Sequence, residues 1–393
     1  MRLDRHELSG AFGDSGILFP LAASLIAVNG LSPTTVFIGA GIFYIAAALY
    51  FRLPMPVQPL KAFSAIAIAY ALSPSVIAAG TLILGAAYFL LGATGLIRVV
   101  GRYVPFAVVK GIQLSLGITL LQGAWALARR PQGLASLPSG VTAGGTSAPI
   151  GLFIAAGALA LALILLRWRF APASLVVLSL GALLGALGGS DVGPLRLGPV
   201  PIAPTIPAAG DWWPALTLLA IPQLPLSIGN AMISMQDVAR SYFGEGARRA
   251  TLTGIARSMG LANLAVGVFA GMPMCHGAGG LTAHHRFGAR TAAATLVIGA
   301  TCIGLGLVFG QSALQIVTRG VPPAVLGALL AYVGWEHVQL VRALRGMLGW
   351  ATCAVVAALA TASGNLGVGV IAGIAFWYGA LSVVPSRAGS NAR

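Results

Sequence analysis

Apolar runs close to the roughly 20 residues that carry a helix across a bilayer recur from one end of this chain to the other. "IGLFIAAGALALALILL" (150–166) and "ASLVVLSLGALLGALGG" (173–189) are two of them. With 393 residues, 58% hydrophobic and only 8% charged, the chain has a mean hydropathy of +0.91. That places it outside the range of soluble domains and reads as a polytopic membrane protein. The links between runs are short and leave no room for a sizeable soluble domain. "MRLDRHELSG" at the start does not read as a cleaved signal. Cys275, Cys302 and Cys353 all lie in or beside apolar segments and suggest no disulfide framework.

A formal charge of +15 invites a nucleic-acid reading, which its distribution rejects. On a map of about fourteen spans, most arginines, from Arg2 and Arg5 through Arg52, Arg98, Arg102, Arg240, Arg248, Arg249 and Arg257 to Arg387 and Arg393, fall on one side. Arg129, Arg130, Arg196 and Arg319 fall on the other. The positive-inside rule then puts both termini in the cytoplasm, with the cell membrane as the expected location. No basic stripe interleaved with aromatics marks a nucleic-acid surface.

The chain repeats itself. "PMPVQPLKA" from Pro54 and "GMPMCHGAG" from Gly271 share a Met-Pro pair 217 positions apart, and "RYVPFAV" from Arg102 and "RGVPPAV" from Arg319 match at the same offset. Seven spans per copy, an odd number, would enter the membrane from opposite sides. The expected fold is therefore all-α, with two inverted repeats: 1–205 holding spans 1–7 and 206–393 holding spans 8–14.

Both Met-Pro stretches read as broken membrane segments. Pro54, Pro56 and Pro59 in the third span, and Gly271, Pro273, Gly277, Gly279 and Gly280 in the tenth, interrupt helix before a short helix resumes. Unwound backbone at membrane depth is tolerated where it is buried in protein or lines a cavity. Two half-helices starting near the midplane would aim free N–H groups and positive dipole ends at a shared point, which favours an anion.

Among 23 basic residues only Lys61 and Lys110 are lysines, both in or beside apolar segments. Lys61 begins the first half-helix and is a candidate anion ligand, against the alternative of a snorkelling or structural cation; Lys110 reads as structural. Gln58 has an amide N–H to offer an oxyanion. Asp14, in "FGDSG", and Asn230, in "SIGNA", stand at nearly the repeat offset and should both face the crossing. A carboxylate near a dianion repels it unless protonated or balanced by Lys61, which makes Asp14 the proton-coupling candidate. A structural acid bonded to unwound backbone is the competing reading. Gln223, between Pro222 and Pro225, is a secondary ligand candidate; Asp237, Glu336 and His337 read as capping, pairing or structural residues.

Cys275 and His276, with His284 and His285 beyond, have no usual zinc spacing and no completing carboxylate. A Cys-His nucleophile would need an orienting acid, and no membrane-hydrolase signature is present. The expectation is therefore no metal, no cofactor and no catalytic residue. Cys275, His276 and Gly277 are instead expected at the substrate site, with His276 donating an imidazole N–H to substrate or to the opposing half-helix.

Together "ELSGAFGDSGILFP", "PMPVQPLKAFSAIAIA", "VVKGIQLSLG", "PQLPLSIGNAM" and "GMPMCHGAGGLTAHHRFGART" resemble the MOT1-type molybdate transporters of the sulfate-permease-like superfamily over nearly the whole chain. The resemblance implies seven plus seven inverted spans as in uracil permeases, a core domain of spans 1–4 and 8–11, and a gate domain of spans 5–7 and 12–14. It also implies substrate between spans 3 and 10, no soluble C-terminal regulatory domain, and relatives that form homodimers. "AHHRFG" and Leu60 depart from the family pattern and bear on selectivity. The function so implied is secondary active import of a tetrahedral oxyanion, molybdate first and sulfate or a broader oxyanion range second. An anion channel or a membrane-embedded enzyme is the reading from another class. No GxxxxGK[ST] motif is present, so coupling would be to an ion gradient, with proton symport the first expectation.

Overall fold

The computed structural model describes residues 4–383 other than 131, 133, 135, 137, 139, 144, 145 and 169–172. Within them the chain is almost wholly helical, as expected. Six helices are long and apolar enough to cross a membrane: Pro33–Phe51, Pro74–Thr94, Phe106–Arg129, Ala209–Ala247, Ala293–Gln315 and Pro323–Ala343. Shorter apolar helices, among them Ile17–Asn29, Met347–Ser363 and Leu366–Ser382, pack between them. Two short antiparallel strand pairs interrupt this pattern. One is the Gly140–Ala143 and Thr146–Pro149 hairpin, which the apolar periodicity did not announce; the other lies at the crossing described below.

Helix starts follow local chemistry. Ser32 and Ser73 each accept a hydrogen bond from an N–H in the first turn and are each followed by proline, whose missing N–H costs nothing there. The Ala209–Ala247 helix carries Pro214, Pro222 and Pro225, and its turns widen to π geometry over Ala215–Ala220 and Ser227–Ile233. Proline removes donors from the ladder, and a wide turn is one way a helix absorbs the loss.

The offset of 217 is realised in space. The helix Pro33–Phe51 lies along Ala293–Gln315, and the repeat image of that pair, Leu252–Gly267 along Pro74–Thr94, is packed in the same way. Glycine lets these backbones approach: a Cβ on Gly41 would come within 2.6 Å of the Gly299 carbonyl oxygen. Without water to drive apolar surfaces together, such close backbone packing is what holds membrane helices.

Some equivalents meet each other directly. Phe106–Arg129 packs on Pro323–Gln339, and Gly117 touches Gly334, its own counterpart 217 residues on. Pro33–Phe51 and its counterpart Leu252–Gly267 also run side by side in opposite directions: Gly39 is against Val266 at one end, and Tyr50 is against Gly254 at the other. An axis relating antiparallel equivalents lies across the helices, so the repeats are inverted.

Candidate functional site at the crossing of two half-helices

Both Met-Pro segments are extended, and they pair. Gln58–Pro59 runs antiparallel to Met274–Cys275, with Gln58 opposite Cys275 and Pro59 opposite Met274. Gln58 and Cys275 are again separated by 217 residues, so the inversion axis passes between them. The Leu60 N–H donates to the Pro273 carbonyl at 2.9 Å and extends the contact. Each segment then turns into a nine-residue helix, Lys61–Ala69 and Ala278–Arg286, at equivalent positions.

The first helical bonds are Ser64 N–H to Leu60 and Gly280 N–H to Gly277. Helix geometry therefore leaves the N–H groups of Lys61 and Ala62, and of Ala278 and Gly279, without an acceptor inside their own helices. Gln223 satisfies one donor of the first half-helix, accepting from the Phe63 N–H at 2.9 Å. Its own amide donates to Ser227 at 2.8 Å, and Ser227 shares a hydrogen with the Tyr88 hydroxyl. The proline-bounded stretch of the long helix thus caps the half-helix opposite it. Asn29 holds the other end, donating to Ala67 at 2.7 Å and to Leu72 at 2.8 Å.

Asp14 reaches the crossing, as its position suggested. The buried Gln58 amide donates to Asp14 Oδ1 at 2.6 Å; Asp14 Oδ2 and Gln58 Oε1 are buried without a partner. The Gln58 donor therefore meets an oxyanion of the protein's own. Glycine is required on the opposing strand side: a Cβ on Gly277 would overlap the Gln58 amide oxygen, and one on Gly280 would lie 2.6 Å from Asp14 Oδ2. Lys61 is half-buried at the start of the first half-helix, within electrostatic reach of Asp14, Cys275 and His337. Among the described residues no ion pair holds it.

His276 faces the opposing segment. Its Nδ1–H donates to the Pro56 carbonyl at 2.8 Å, which leaves Nε2 to accept from the Ser258 hydroxyl at 3.0 Å. The ring packs 4.7 Å from that of Phe43 and 5.3 Å from that of Phe51. Of the two uses foreseen for this imidazole, donation across the crossing is the one seen. Both nitrogens are engaged with protein, so the side chain is a strut. Cys275 contributes through its backbone pairing, with a buried free thiol.

Asn230 lies in the second π turn, half-buried, and makes no hydrogen bond to the crossing among the described residues. Lys110 is buried with its ammonium 4.8 Å from the centre of the Phe106 ring. Asp237 and Glu336 are exposed, and His337 donates to Val333 one turn back in its own helix. His284 and His285 separate in role. The first is buried and donates to Gly10; the second stacks on Tyr242 with ring centroids 4.2 Å apart.

Sequence reasoning passed over three residues that hold the site. Asn263, fully buried, donates to Met259 and Met274 at 2.7 Å and accepts from the Met274 N–H at 2.9 Å, fixing the second strand. Ser258 anchors His276. Glu7 accepts from the Arg290 and Thr291 N–H groups at 2.9 Å, just before the helix that begins at Ala293. Their signal was a lone polar residue in an apolar run, as in "ARSMGLANLAVGV".

These features have counterparts in known proteins. A family described as "Molybdate transporter of MFS superfamily" matches residues 6–120 and 215–336. Molybdate transporter 2 of Arabidopsis thaliana is 32% identical, covering 84% of this chain and 77% of that protein. The transmembrane domain of the cyanobacterium bicarbonate transporter BicA superposes with a TM-score of 0.63 at 19% identity, covering 94% of this chain and 97% of that one. Murine Slc26a9, an anion transporter in its inward-facing state, gives 0.66 at 16% identity over 98% and 69% of the two chains. These neighbours share the fold, and the antiparallel relation of the repeats here differs from the parallel relation between the two halves of major-facilitator carriers. By its matched segments and its identity to the plant protein over most of both chains, this integral membrane protein belongs to the molybdate transporter family and is an anion transporter.

Proposed function

We propose that the protein is a secondary carrier that imports molybdate by alternating access. The observation that supports this most is the meeting of two equivalent half-helix N-termini beside Lys61. They present the free N–H groups of Lys61, Ala62, Ala278 and Gly279, in an otherwise apolar interior, to a single region. Oriented N–H groups and helix dipoles bind a tetrahedral dianion without a full array of cations. Lys61 supplies the balancing charge, with Gln58 and Asn230 within the same region.

Movement follows from the packing. Spans 1–4 and 8–11, which carry the crossing, form a core; spans 5–7 and 12–14, organised around the Gly117–Gly334 contact, form a gate against which the core shifts. Seven spans in each repeat, both termini in the cytoplasm and a cell-membrane location complete this reading. Asp14 is the proton-coupling group: a carboxyl buried beside the anion region, with one oxygen unpartnered, accepts a proton at the moment when a dianion nearby makes its own charge costly.

Uptake of labelled molybdate into proteoliposomes, with excess sulfate as competitor and an imposed pH gradient, tests the reading. Saturable uptake that sulfate barely inhibits and that an inward proton gradient drives is expected. Equal competition by sulfate makes the protein a broad oxyanion carrier, the second reading, since sulfate and molybdate are both tetrahedral dianions. Non-saturable flux would mean a channel, and chemically altered substrate would mean an enzyme.

A further inference from the structure

Between the equivalent helices Pro33–Phe51 and Leu252–Gly267 lies a groove of about 690 Å³, away from the anion region. Its walls follow helical spacing on both sides, from Thr35 through Ala46 to Tyr50 and from Gly254 through Ala262 to Val266. Fifteen residues separate Thr35 from Tyr50, so the groove is about 22 Å long at the α-helical rise. That exceeds half of a ~30 Å hydrocarbon core and accommodates an acyl chain.

The inversion makes the two ends of this groove equivalent in backbone, yet they differ in charge. At the Tyr50 end Arg257 lines the wall, Arg249 donates to the Tyr50 carbonyl, and Arg52 follows two residues on. Their counterparts 217 positions away are Ala40, Ser32 and Phe269. Phe269 itself closes the opposite end, near Ile202. Arg257 spends its Nε–H on the Gly92 carbonyl, and its terminal nitrogens are left for another acceptor. The groove is thus apolar along its length and cationic at one end only, and guanidinium groups match phosphate geometry.

We propose that this groove binds an anionic phospholipid, with its phosphate held by Arg257 and Arg249 and an acyl chain laid along Ala46, Ala262 and Ala265. Two of its wall residues reach the crossing. Ser258 donates to His276, and Phe43 packs on the same imidazole, which in turn holds the Pro56 carbonyl of the first extended segment. A lipid filling the groove braces Ser258 and Phe43, and so steadies the strand pair from behind. The site is independent of which anion is carried.

The test uses the full chain, purified and delipidated, then exposed to phosphatidylglycerol or phosphatidylcholine and followed by native mass spectrometry. Phosphatidylglycerol is expected to be retained roughly tenfold better, two arginines near an anionic headgroup being enough for that difference. Arg249→Gln with Arg257→Gln should abolish the preference. Ala46→Trp with Ala265→Trp, at exposed positions that leave the charges in place, should reduce retention by filling the groove. Equal retention of both lipids, or full retention in both double variants, overturns the proposal, as does cross-linking that places a second copy of the chain over the groove. In vesicles, uptake should rise when phosphatidylglycerol is added to phosphatidylcholine, and both variants should lose that response. Selective retention with uptake indifferent to lipid would overturn the link through His276.

Discussion

The Gln58 amide donates to the Asp14 carboxylate across 2.6 Å, tying the first span to the point where the two half-helices meet. Hydrogen bonds to charged groups contribute about 1.5–3 kcal/mol, and a charge left without its partner costs more. Gln58→Ala is therefore expected to cut uptake at least tenfold and to lower thermal stability in detergent. Unchanged uptake and melting would show that the bond is idle.

Proton coupling makes a separable demand on the same carboxyl. In the native protein molybdate uptake should rise as the outside is acidified, because symport runs down the proton gradient. Asp14→Asn keeps the shape and an acceptor for Gln58 but removes the titration. It should bind molybdate and exchange it across the membrane while losing the response to an imposed gradient. A variant that still concentrates substrate when the gradient is applied would transfer the role to another group.

Glycine substitutions along the second half-helix should sort by contact. Gly277→Ala drives a methyl into the Gln58 amide and Gly280→Ala crowds Asp14, whereas a Cβ on Gly279 meets nothing within 4 Å. The first two should fall at least tenfold in uptake, with overpacking costs of about 1–3 kcal/mol visible in thermal melts. Gly279→Ala should keep its melting temperature and serve as the control for helix propensity. Three equal effects would disprove the close approach.

Lys61 and His276 should fail differently. Lys61→Ala removes the cation beside the half-helix N-terminus and is expected to raise KM for molybdate by tenfold or more. His276→Ala removes a strut with two hydrogen bonds and two ring contacts, so it should lower the melting temperature and the maximal rate while leaving KM near its native value. A large rise in KM for His276→Ala would return that side chain to the substrate.

Much of this arrangement was legible in the sequence because symmetry leaves a numerical trace. Met-Pro pairs 217 residues apart marked both broken segments, and proline and glycine marked where helix fails. Asp14 was found by the same offset. What escaped was the direction of side chains. Nothing in "MCHG" says whether the imidazole turns toward a ligand or toward Pro56, since that depends on Ser258 and Phe43 from two other helices. Gln223 was placed near the site correctly, yet its role as a cap required seeing that its oxygen meets the Phe63 N–H. Local pattern reports where the backbone must change; partners brought together across hundreds of residues decide what each polar group does.

The pairing of Gln58 with Cys275 has a consequence for descent. Two residues related by the inversion axis and facing each other across it would be one and the same residue in a dimer of single repeats. Such an ancestor would set two amides, or two thiols, back to back and could offer Asp14 no one-sided partner. Joining the repeats into one polypeptide released that constraint. One side of the axis became free to keep a donor while the other became small and apolar, and a symmetric pore-like ancestor could acquire a direction.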